Sequence, residues 1–112
     1  MTWSRESRRA ERYLIEVPMR YRIFGEADWR KGTTANISAS GVFFQCEETA
    51  ERDMSVEINF VLPIRPNHKK GIEVVCRGAI VRSESAMEMG SPSGLAAKIL
   101  KYRLLPWEGP RT

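Results

Sequence analysis

Arg8, Arg9 and Arg12 crowd into the stretch SRRAERY. A guanidinium offers a rigid fork of donors that fits two phosphate oxygens or the O6 and N7 edge of guanine, and it also stacks on a purine face. The R-x-x-x-R spacing from Arg8 to Arg12 comes cheaply in a chain with 18 Lys+Arg, so alone it describes a solvated charge run equally well. A second polar cluster follows in NISASG, with Asn36, Ser38 and Gly41 in an N-x-S-x-x-G pattern. Its plain reading is a turn, in which Gly41 supplies a positive φ. Its chemical reading is a ledge. Asn36 and Ser38, two apart, share a face of extended chain, and Gly41 lets a ligand approach the backbone. Both clusters suit a flat, anionic, small ligand.

Catalytic chemistry is hard to assemble from the same chain. The single histidine, His68, lies in the cationic stretch RPNHKK without an orienting carboxylate or nucleophile beside it. Glu47 and Glu48 are adjacent in a charged stretch and read as solubilising rather than as an acid–base pair. Neither a Walker-type phosphate loop nor a G-x-G-x-x-G turn occurs. Cys46 and Cys76 sit inside apolar runs at a spacing that fits no metal motif, so they read as buried small hydrophobes. The expectation is a protein that is no enzyme and carries neither metal nor cofactor.

The elements that must carry these clusters read as strands. In VPMRYRIF, Val17, Met19, Tyr21 and Ile23 alternate with polar neighbours, a period of two with one buried face. Pro18 falls on the polar side, which suggests a strand edge or a bulge. TTANI and VFFQC form two short strands joined through SASG, and one of Phe43 and Phe44 must point outward. SVEINFVL alternates again, with Val56, Ile58, Phe60 and Leu62 on one face. IEVVCRGAIVRS is a long strand whose Gly78 marks a bulge or barrel corner, and GLAAKIL is the last strand. PIRPNHKKG and ESAMEMGSPS are connections. About six evenly spaced strands and no convincing helix predict an all-β fold, a six-stranded antiparallel β-barrel. Residues 1–12 are expected to be a flexible basic arm, 13–100 the barrel, and 101–112 a C-terminal tail with little or no helix.

A hydrophobic share of 42% beside 29% charged residues places the chain among ordinary globular domains rather than disordered ones. The net charge of +4 favours phosphate-bearing partners without choosing among them. With no long apolar run and no apolar core in MTWSRESRRAER, the expected location is the cytoplasm, without membrane insertion.

Together, R-x-x-x-R, a strand, a loop and then N-x-S-x-x-G resemble the PilZ domain, the bacterial receptor module for cyclic di-GMP. The surrounding stretches VPMRYR, CRGAIVR and GLAAKIL are similar to it too, so the likeness runs from about Arg8 to Leu100. The resemblance implies a split-barrel-type β-barrel with the dinucleotide on its outer surface. Arg8 and Arg12 would then grip guanine and phosphate, with Arg9 an auxiliary contact. Asn36, Ser38 and Gly41 would face the other guanine and sugar. The function implied is a cyclic di-GMP receptor that orders its arginine-rich arm over the ligand and signals to a downstream protein partner. Two alternatives remain open. One is a ligand-free PilZ-like adaptor working by protein contacts, for example with motility machinery. The other, ranked lower, is a small barrel that binds nucleic acid through its basic charge and an outward Phe.

Overall fold

The structure, a computed structural model, describes residues 12–48, 50–63, 70–84 and 93–109. Alternation of apolar and polar residues is converted into six strands: β1 (Pro18–Ile23), β2 (Arg30–Ile37), β3 (Gly41–Cys46), β4 (Ser55–Pro63), β5 (Gly71–Glu84) and β6 (Ser93–Trp107). They close into an antiparallel barrel in the order β1-β2-β3-β6-β5-β4, with β4 returning to pair β1. Closure satisfies strand hydrogen bonds that an open sheet would leave at its edges. The expected six-stranded all-β barrel is therefore the fold, and no helix occurs among the described residues. None is long and apolar enough to cross a membrane.

Side chains of one parity fill the barrel. Met19 and Tyr21 from β1, Val42, Phe44 and Cys46 from β3, and Val56, Ile58 and Phe60 from β4 meet Val74, Cys76 and Ile80 of β5 and Leu95 and Ala97 of β6. Tyr21 and Phe44 pack with ring centroids 5.0 Å apart at a tilt, a favourable aromatic geometry. Pro18 is the first residue of its strand rather than an edge position, a place where its missing N–H costs the ladder little. Cys46 and Cys76 are buried free thiols. The connections expected over PIRPNHKKG and ESAMEMGSPS, His68 included, lie largely outside the described residues.

The strand β6 corrects one expectation. Residues 101–107 were expected as tail, yet they continue the strand and pair with the first half of β5, from Arg77↔Lys101 to Gly71↔Trp107. A bulge explains the missing periodicity. Gly78 pairs with Ile99 and Arg77 with Lys101, so Leu100 is extra, and the inward parity switches from Leu95, Ala97 and Ile99 to Tyr102 and Leu104. Gly78 itself is required by crowding. A Cβ there would lie 2.2 Å from the Lys98 carbonyl oxygen, a backbone atom that cannot move alone. Gly78→Ala is expected to destabilise the protein by about 1–3 kcal/mol through overpacking, measurable as a lower midpoint in chemical denaturation.

Burial also fixes the thiols. It pushes Cys76 up to about 12 from an ordinary 9.0, and it raises Cys46 and Tyr21 as well. A folded-state value above the unfolded one holds its full stabilisation below the unfolded value and loses it as pH climbs through the folded one. The melting temperature is therefore expected to fall as pH rises from 9.0 toward about 12, and less steeply in Cys76→Ala. Equal slopes would contradict the assignment.

Candidate functional site

The site begins with a parity change inside β2. Thr34 points into the barrel and is 1% exposed. Its register partner, Phe44, points inward too. Strict alternation would send Asn36 inward as well. Instead the register slips between Thr34 and Asn36, leaving Ala35 as an extra residue, and Asn36 pairs with the outward Phe43. A single bulge thus turns the Asn36 amide to the outer wall, which is a recognised use of bulges beside functional sites. Phe44, fully buried, takes the inner role of the aromatic pair.

Thr34 then holds the incoming chain. Its hydroxyl donates to the Ile15 carbonyl at 2.6 Å and accepts from the Val17 N–H at 2.9 Å, while its own N–H reaches the Val17 carbonyl at 3.0 Å. One step further along, Tyr13 and Ile37 exchange two backbone hydrogen bonds of 2.8 and 2.9 Å. This lays residues 13–17 against β2 and delivers Arg12 to the amide. Arg12 Nη1 donates to Asn36 Oδ1 at 2.8 Å across 24 positions of sequence. The two clusters singled out by residue type therefore touch. Arg8 and Arg9 lie outside the described residues, as does the rest of the expected arm ahead of Arg12.

Ser38 and Gly41 take different parts from the ledge their spacing suggested. The strand ends at Ile37, so Ser38 falls in the turn and is 4% exposed. Its hydroxyl oxygen accepts from the Ser40 and Gly41 N–H groups at 3.2 and 3.1 Å and lies 3.1 Å from the Ser40 hydroxyl. The Ser38 N–H closes the turn on the Gly41 carbonyl at 2.8 Å. Ser38 thus fixes the turn that follows Asn36 rather than projecting beside it. Gly41 has no positive φ; its constraint is space, because a Cβ would come within 3.1 Å of the Ala97 carbonyl on β6.

Sequence reasoning passed over three neighbours. Phe43 is half-buried on the outer wall, and its ring reaches over Gly94, where a Cβ would meet it at 2.8 Å. The Arg82 guanidinium lies 5.4 Å from the ring centroid and pairs with Glu84 at 3.2 Å. Lys98, exposed, is the register partner of Gly41. Phe43 and Arg82 follow in one row from Asn36 through Ala96. The only signal available was that one of two adjacent phenylalanines had to face out. An amide, an aromatic face and several cations on a rigid wall can hold a planar anion. A hollow of about 890 Å³ lies at the other end of β2, beside Trp29, Arg30 and Glu48, and contains none of these groups. Among the described residues no cluster suited to a metal is present.

Thr34→Val keeps the shape and removes the hydroxyl. It is expected to cost about 1–3 kcal/mol by stripping partners from the Val17 N–H and the Ile15 carbonyl, read as a drop in thermal midpoint and as faster hydrogen exchange at Val17.

The family model for the PilZ domain matches residues 6–100. No curated protein matches the sequence. Among solved structures, that of the Bacillus subtilis inhibitor of motility MotI/DgrA superposes with a TM-score of 0.68 at 12% identity, over 85% of this chain and 43% of that one. The likeness at that identity is one of fold, and this chain spans less than half of the other protein.

Proposed function

Because the chain belongs to the PilZ family, whose members are binding and adaptor modules, we propose that it is a receptor for cyclic di-GMP, seated on the outer wall of β2, β3 and β6. The observation that carries this reading is the 2.8 Å bond from Arg12 to Asn36. It joins two motifs 24 positions apart on the outer wall, at a point where backbone pairing of Tyr13 with Ile37 holds them side by side. In this reading Arg12 turns from Asn36 to a guanine edge or phosphate when the ligand arrives, and the Asn36 amide is released to a base. The Phe43 ring offers a stacking face, Ser38 and Gly41 keep the turn low, and the segment with Arg8 and Arg9 closes over the nucleotide. The covered wall is then a new surface for a downstream protein partner, in the cytoplasm.

The energies are compatible with a reversible signal. Ordering a residue costs about 1–2 kcal/mol, while an arginine–guanine pair contributes about 1–3 kcal/mol and stacking on an aromatic ring about 1–3 kcal/mol. Binding in the micromolar to submicromolar range, about 8–9 kcal/mol, is the strength expected of such a reversible signal. In calorimetry, Arg12→Ala and Asn36→Ala are each expected to weaken cyclic di-GMP binding more than about tenfold, or 1.4 kcal/mol. Lys31→Ala, an exposed cation at the far end of β2, changes it little, and GMP is a poor competitor. Equal losses at Arg12 and Lys31 would overturn the site. Absence of any heat with intact protein would favour the ligand-free adaptor instead.

A further inference from the structure

A second charged surface lies on the wall across the barrel from Asn36, since β5 and β4 stand opposite β2 and β3 in the closed order. Two rows of outward residues cross it. One runs Arg22, Glu57, Arg77, Lys101; the other runs Arg20, Asn59, Val75, Arg103. Here lies a shallow groove of about 240 Å³ lined by Glu57, Val75, Cys76, Arg77, Lys101 and Arg103. We propose that this groove docks an acidic, extended segment of a partner protein. The proposal shares no residue with the nucleotide site and stands whether or not that site binds its ligand.

The charges that already have partners are distinguishable from those that do not. Arg22 pairs with Glu57 at 3.3 Å. Asn59 accepts from Arg20 at 3.0 Å and donates to Glu73 at 2.8 Å. Those groups form a fixed lattice on β1, β4 and β5. Lys101 and Arg103, exposed on β6, have no carboxylate partner among the described residues, and Arg77 rests only on the Phe24 ring at 4.5 Å. Three of the lining residues are therefore cations open to a carboxylate from outside, while the one lining carboxylate, Glu57, is already held by Arg22.

Geometry selects the form of that counter-charge. Lys101 and Arg103 are two apart on one face of a strand, so their stems are spaced by about 6.8 Å. Carboxylates at alternate positions of an extended peptide have the same repeat, and Val75, the register partner of Arg103, offers an apolar contact for the stem of a side chain that faces the wall. Sequence-tolerant single-stranded nucleic acid would need open aromatic platforms. Here the aromatic rings are occupied: Trp29 lies under both Arg20 and Arg22 at 4.5 and 4.4 Å, and Phe24 under Arg77. Glu57 and Glu73, set among the cations, further oppose a continuous phosphate backbone while leaving room for a peptide with a defined pattern of charge.

The test uses the isotopically labelled full chain and a synthetic octapeptide of alternating Glu and Val, followed by amide NMR, with an alternating Lys–Val peptide and a single-stranded DNA octamer as controls. The Glu–Val peptide is expected to move the resonances of residues 75–77 and 101–103 and leave those of 36–41 in place. Lys101→Glu and Arg103→Glu should each weaken it about tenfold, whereas Arg52→Glu, an equal charge change on the exposed β3–β4 loop, should change it less than about twofold. Should a charge reversal disturb folding, Lys101→Gln and Arg103→Gln remove the cation with less disruption and should still weaken binding several-fold. Absence of shifts at millimolar peptide, shifts centred elsewhere, equal losses in Arg52→Glu, or tighter binding of the DNA octamer to the same residues would each overturn the proposal.

Discussion

One extra residue in β2 decides what the outer wall can do. Were Ala35 paired in regular register instead of bulged, Asn36 would share the inward parity of Thr34 and its amide would be buried in the barrel, where an unpaired polar group is costly. With the bulge in place, Thr34 stays inside to clasp residues 15–17 and Asn36 stands outside to meet Arg12. The same local irregularity therefore serves anchorage and display, and the two are separated by two positions of chain. The turn locked by Ser38 and the close packing of Gly41 on β6 keep that display rigid.

The barrel was readable because its physics is local. Alternation in VPMRYRIF and SVEINFVL marks which residues face the core, and the buried set confirms Met19, Tyr21, Val56, Ile58 and Phe60. Gly78, suspected of a bulge from its place in a strand, sits at one. What escaped was the far half of β6. Leu100 shifts the period by one, so Tyr102 and Leu104 fall out of step with Leu95 and Ala97, and only pairing with distant β5 reveals them as inward residues. Periodicity cannot see across a bulge.

The site was legible in its residue types and only partly in its geometry. Guanidinium and amide are groups suited to anion and base recognition, and Arg12 and Asn36 do stand together. The role of Ser38 could not be read, because the hydroxyl expected to face a ligand is consumed by N–H groups two and three residues ahead. Nor could Gly41 be assigned its true reason, contact with a carbonyl of a strand more than fifty positions away. The row from Asn36 through Phe43 to Arg82 joins strands whose neighbourhood is set by closure, and closure is a property of the whole chain.

The parity switch at Leu100 makes the two halves of the last strand separable by frame. Pairing Leu100 in regular register, instead of leaving it extra, would keep Ser93–Lys98 seated against β3 while rotating Lys101 and Arg103 toward the apolar interior and Tyr102 and Leu104 into solvent. The cations of the second half of β6 thus owe their outward position to one unpaired residue, on which the row from Asn36 to Arg82 does not depend. The irregularity sets the facing of the two halves independently within one continuous strand.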